Sequence, residues 1–133
     1  MKKNKALALC LGIGLSCAAS GAWGSEAEKG AALYLRYCGS CHGLDAKGDG
    51  PVVKHLTIKP PDLTQLRKKN KGVFPLNRVM SAIDGTRAVR THGESLMPVW
   101  GEVFEKFDPK GKDSGQSQTK VKLIADYLST HQR

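Results

Sequence analysis

From Ala27 onward apolar residues recur every three or four positions and nowhere alternate for any length, so the chain predicts helices joined by polar loops and no strand. The first helix runs from about Glu26 into residues 38–42, with Ala27, Gly30, Ala31, Tyr34 and Cys38 or Cys41 on one face. Ser25 and Glu28 stand at capping-box spacing at its start. Between Gly43 and Gly72 the period dissolves among Gly43, Gly48, Gly50, Pro51, Pro60 and Pro61, leaving room for one short helix around Asp62 to Lys69. A clearer helix follows. Pro75 suits its first turn, Leu76, Val79, Met80 and Ile83 form its apolar stripe, and Gly85 suits its C-terminal stop. Residues 86–99 are irregular, and then Trp100, Val103, Phe104 and Phe107 restore the period as far as Asp108-Pro109. The stretch DPKGKDSGQSQ reads as a polar loop, and Val121, Ile124, Tyr127 and Leu128 face inward on a last helix from about Gln118 to His131. The expected class is all-α, with three to five helices and long loops.

The N-terminus breaks this pattern. Lys2, Lys3 and Lys5 precede the small, apolar run ALALCLGIGLSCAASGA (Ala6 to Ala22), which is short and glycine-rich for a membrane span. Ala22-Trp23-Gly24 offers a small-x-small cleavage site, so residues 1–24 read as a secretory signal peptide and residues 25–133 as the mature domain. An uncleaved membrane anchor and a lipid-modified Cys17 are the alternatives. Export places the domain in the periplasm, with no integral span after cleavage. Cleavage removes three lysines and no acid, so the formal charge falls from +9 to +6. A positive surface suits acidic partners. Nucleic acid is not among the expected ones, because no basic stripe is interleaved with the few aromatic residues.

Cleavage also removes Cys10 and Cys17 and leaves Cys38 and Cys41 as the remaining thiols. They stand three apart, with His42 directly after them, which raises three chemistries. A stapling disulfide would close a tiny loop and remove little chain entropy. A thioredoxin-like redox pair would want a preceding strand, where a helix is expected. A zinc site needs four ligands, and His55, His92 and His131 lie at no recognisable spacing. Covalent haem fits best: on a helical turn both sulfurs face one way, towards two vinyl groups, and the neighbouring imidazole reaches the iron. Loops this long in a small domain, and a thin apolar face, also call for a large apolar group to complete the core. Of the two methionines beyond the leader, Met80 lies within a helical apolar stripe and reads as core. Met97 lies in an irregular segment beside Pro98 and suits a second axial ligand, ahead of His55 and His92.

These residues resemble class I cytochrome c. The resemblance rests on CGSCH (Cys38–His42), GDGP (Gly48–Pro51), MPVWG (Met97–Gly101) and IADYL (Ile124–Leu128), and it spans residues 26–131. It implies that Cys38 and Cys41 form the thioethers of one haem c, that His42 is the proximal ligand and that Met97 is the distal one. It implies that the Pro51 carbonyl accepts a hydrogen bond from His42 and that Trp100 lies near a haem propionate. Arg87 and Arg90 could pair with propionates. Gly30 and Tyr34 are expected where the first helix crosses the last, near Ile124 and Tyr127.

His/Met ligation leaves no open position on the iron, which suits a soluble periplasmic carrier of single electrons rather than an enzyme. Redox proteins with acidic docking surfaces would give and take the electron, and Arg67, Lys68, Lys69 and Lys71 could steer them. Two other readings share the motif: a dedicated haem subunit of an exported dehydrogenase or oxidase, and a haem enzyme or sensor in which Met97 does not bind.

Overall fold

The structure, a computed structural model, describes residues 21–86, 97–107 and 114–133. Residues 1–20, which hold most of the expected signal peptide, residues 87–96 with Arg87, Arg90 and His92, and residues 108–113 lie outside the described residues. Among the described residues there are helices and no strand. Four helices are of some length: α1 (Gly21–Tyr37), α4 (Leu76–Asp84), α5 (Trp100–Lys106) and α6 (Ser114–Thr130). Two are single turns, α2 (Gly39–His42) and α3 (Leu66–Lys69), and 3-10 turns form at Val53–His55 and Leu63–Gln65.

The core lies where α6 packs on α1, α4 and α5. Tyr34, Val121, Ile124, Ala125 and Leu128 are buried there with Val79, Ile83 and Phe104. The α1/α6 crossing depends on Gly30. A Cβ at that position would stand 2.5 Å from the Leu123 carbonyl oxygen and 3.1 Å from Tyr127 Cβ, so only glycine lets the two backbones meet this closely. One turn on, the Tyr34 and Tyr127 rings pack with centroids 5.1 Å apart.

Three boundaries differ from expectation. Helix α1 starts at Gly21 and runs through Ser25, so Ser25 is an interior residue and not the N-cap of a capping box. Helix α6 starts at Ser114, four residues before the expected start, because SGQSQ is tied into the fold: buried Ser117 donates its hydroxyl to the Gly101 carbonyl at 3.1 Å. Pro75 precedes α4 as its N-cap, and Gly85, left-handed at φ 82°, stops that helix as expected.

Candidate functional site

Cys38 sits at the joint between α1 and α2. Its N–H donates to the Tyr34 carbonyl at 2.8 Å, continuing α1, while the Cys41 and His42 amides donate to its own carbonyl at 3.2 and 2.8 Å. The CGSCH segment is thus a single helical turn hung on the end of α1. The loop that follows folds back over it. The carbonyls of His42, Cys41 and Ser40 accept from the amides of Gly48, Gly50 and Val52 at 2.8, 3.2 and 3.2 Å. Gly50 is needed there because any Cβ would run into the Ser40 carbonyl. Tyr34, fully buried, donates its hydroxyl to the Gly43 carbonyl at 2.7 Å and so fastens the residue after His42 to α1.

The two cysteines are unbridged. Burial, and secondarily the neighbouring Cys41, push the Cys38 thiol up to about 12. A dithiol redox centre works through a thiolate made accessible by a lowered pKa. Cys38 has the opposite environment, which weighs against the thioredoxin-like reading. Among the described residues no three His, Cys, Asp or Glu side chains gather as a metal site would require, so the zinc reading has no ligand set there either.

Burial holds the His42 imidazole below its ordinary pKa, and the Pro61 carbonyl facing the ring offsets this in part. The ring is therefore neutral at physiological pH, the form that binds a metal. Its Nδ1 is buried with no aligned hydrogen-bond partner. The carbonyl that faces the ring is that of Pro61, where Pro51 was expected. Pro51 is exposed and lines an open cleft with Leu44, Asp45 and Asp49. Pro61 is brought back to the motif by the Leu63 amide, which donates to the Ala46 carbonyl at 2.8 Å, and by Asp62, which caps the next turn through the Thr64 amide at 2.9 Å. The sequence offered one clue to this, the Pro60-Pro61 pair ahead of an Asp N-cap, but the loop closure that brings it to His42 is non-local.

Met97 is partly buried and packs against the same apolar cluster that contains Cys38, as do Leu63, Leu66, Phe74, Met80 and Trp100. Met80 sits on α4, on the flank of the apolar stripe, as expected of a core residue. Trp100 opens α5 and packs its indole 5.3 Å from the Tyr37 ring and 6.0 Å from Phe104. His55 is exposed on its 3-10 turn, and His131 is exposed with its ring 4.1 Å from Tyr127.

The residues fit a haem c. Two unbridged thiols stand on one turn, a neutral imidazole with an orphaned buried nitrogen follows, and partly buried apolar side chains share the cluster with a thioether. The family model described as cytochrome C oxidase, cbb3-type, subunit III, matches residues 25–128. No curated protein and no solved structure matched the chain.

Proposed function

Because the chain belongs to the cytochrome c oxidase, cbb3-type, subunit III family, and so carries a c-type cytochrome domain made for haem-borne electron transfer, we propose that it is a periplasmic monohaem carrier of single electrons. The observation that carries this is the neutral, half-buried His42, its Nδ1 fully buried, directly after two unbridged cysteines on one helical turn. The chain holds one C-x-x-C-H, hence one haem.

In this reading Cys38 and Cys41 hold the haem through thioethers, and His42 and Met97 ligate the iron. The haem supplies the one-electron couple. The protein's own work is to keep that site rigid and dry. Burial keeps the imidazole unprotonated, and the Pro61 carbonyl favours one ring orientation. The loop bonds from residues 48–52 onto α2 prevent the ligand turn from shifting when charge changes. Apolar residues around the site, Leu63, Leu66, Phe74 and Met80 among them, exclude water and disfavour the more highly charged oxidised state. A thioether ligand pushes the potential the same way.

The family's own description favours a second reading, a dedicated haem subunit of an exported oxidase. The two share one site and part on assembly, so copurification with a fixed partner separates them.

The test is mass spectrometry and optical spectroscopy on protein purified from a periplasmic fraction. We expect the mass of residues 25–133 plus one haem, a c-type pyridine haemochrome, and a far-red thioether-to-ferric band that Met97→Ala abolishes. A polypeptide of bare amino-acid mass without a Soret band refutes the function. Persistence of the far-red band in Met97→Ala refutes the distal ligand and reopens the haem enzyme or sensor.

A further inference from the structure

Pro60 and Pro61 have no N–H, so neither can donate a hydrogen bond to hold itself in place. They nevertheless lie close against the ligand turn. A Cβ on Gly48 would run into the Pro60 carbonyl and stand 3.1 Å from that of Pro61, and the Gly48 amide is itself bonded to the His42 carbonyl at 2.8 Å. The Pro61 carbonyl faces the His42 ring from there. What places it must come from the residues that follow. Asp62 acts locally, by capping Thr64. The long-range hold is on Leu63. Its amide donates to the Ala46 carbonyl at 2.8 Å, and its carbonyl accepts from Gln132 Nε2 at 2.9 Å.

Gln132 lies just beyond α6, 69 residues from Leu63, and uses its whole amide. Nε2 donates to the Leu128 carbonyl at 2.7 Å as well as to Leu63, and Oε1 accepts from the Arg67 amide at 2.9 Å. The Leu128 carbonyl and the Arg67 amide are groups that helix ends leave open, the first at the end of α6 and the second in the first turn of α3. Reversing the amide would set its oxygen against two carbonyls and its nitrogen against an N–H, so one orientation satisfies the network. Glutamate has no donor for the carbonyls when ionised, and asparagine is one methylene shorter. The Arg133 amide adds a backbone bond to the Thr64 carbonyl at 2.9 Å, which keeps the segment attached whatever side chain stands at residue 132.

We infer that Gln132 is a positioning residue for His42: through Leu63 it fixes the Pro61 carbonyl against the imidazole and so keeps that ring oriented as an iron ligand. This rests on the reading of His42 as the proximal ligand. A clamp that served helix ends alone would stop at Arg67 and Leu128. The bond to Leu63 reaches past both, into the segment that touches the ligand turn. The same segment brings Leu63 and Leu66 against the apolar cluster that contains Cys38.

The test follows the His42 ring N–H by nuclear magnetic resonance in the reduced, haem-loaded full protein carrying nitrogen-labelled histidine. The variants are Gln132→Met, Gln132→Glu and, as a stability control at the far end of α6, Ser117→Ala, which removes the bond to the Gly101 carbonyl. We expect Gln132→Met to speed solvent exchange at His42 Nδ1 about tenfold, because the segment loses two hydrogen bonds and opens locally more often. Gln132→Glu keeps an acceptor for the Arg67 amide but not the donor to Leu63, so it should exchange at least as fast. Ser117→Ala should lower the denaturant midpoint and leave His42 exchange at the parent rate. The far-red thioether band should persist in all three. A parent rate in Gln132→Met overturns the proposal, and a parent rate in Gln132→Glu reduces Gln132 to a clamp on α3. Equal acceleration by Ser117→Ala, or loss of the far-red band in Gln132→Met, overturns it too, since either makes the effect one of general stability. If the His42 ring protons of the parent show no porphyrin ring-current shift, the haem-ligand reading itself falls and the positioning role falls with it.

Discussion

Single side chains decide how firmly the ligand turn is held, and Tyr34 carries the most. It is fully buried, its hydroxyl bonds the Gly43 carbonyl, and burial foremost, then the charge of Cys38, pushes its pKa well above the ordinary tyrosine value. Tyr34→Phe keeps the ring against Tyr127 and removes the shorter of the two hydrogen bonds on the buried Gly43 carbonyl, leaving it the Ala46 amide at 3.3 Å. Losing one such hydrogen bond while the acceptor keeps another costs about 0.5–1.5 kcal/mol. Denaturant titration near pH 7 should therefore show a lower midpoint with an unchanged slope. The pH dependence has a definite sign. With its folded pKa raised, Tyr34 gives its full contribution below the unfolded value of 10.0, and that contribution drains away as pH climbs from there towards the folded value. The parent should lose stability above pH 10, and Tyr34→Phe should flatten that loss. Equal alkaline slopes in the two proteins would mean that Tyr34 ionises as freely folded as unfolded.

At the scale of elements, the crossing of α1 and α6 sets the frame on which the ligand turn hangs. Gly30→Ala tests it, because two opposing terms can be compared. Alanine in a helix interior gains up to about 1 kcal/mol over glycine. Against this, the new methyl meets the Leu123 carbonyl at 2.5 Å, a backbone atom that cannot rotate away, and overpacking of this kind costs about 1–3 kcal/mol. We expect net destabilisation, read as a Tm lower by several degrees, and a larger fall for Gly30→Val. A rise in Tm with alanine would show that α1 has room to slide. The sequence made this frame readable because α1, α4, α5 and α6 each bury a stripe, and a buried stripe repeats at 3.6 residues. It hid what depends on partners distant in the chain. The start of α6 is polar and looks like loop, yet Ser117 finds the Gly101 carbonyl there. Pro51 follows the glycines of the loop and looks like the partner of His42, but the chain must close through Ala46 and Leu63 before Pro61 reaches the ring. The Cys38–His42 motif was legible because it is local, its spacing fixed by one helical turn.

Among the described residues, two groups of side chains differ in burial. Tyr34, Val121, Ile124, Ala125 and Leu128 are each at most 3% exposed and form a complete core between α1 and α6. The side chains of the other region, Leu63, Leu66, Phe74, Met80, Met97 and Trp100, are only partly buried against that core. The Leu63–Leu66 stretch is held through loop closures around α2 and α3, with the Leu63 amide on the Ala46 carbonyl and the Arg67 amide on Gln132 Oε1. A domain this small has little stability to spare, and a large apolar group tethered at Cys38 and Cys41 adds buried area where the polypeptide supplies least. The apo form, made as Cys38→Ser/Cys41→Ser, should therefore lose tertiary order on one side first. We expect much of the far-ultraviolet helical signal to remain, carried by α1 and α6. The near-ultraviolet signal of Trp100 and Tyr37 should collapse, anilinonaphthalene sulfonate should bind, and thermal unfolding should broaden. The single variants sharpen the test, since one remaining thioether still tethers the ring: each should stay closer to the haem-loaded parent than to the double variant. An apo protein that melts as sharply as the parent, with its aromatic signal intact, would show that the polypeptide packs this region unaided.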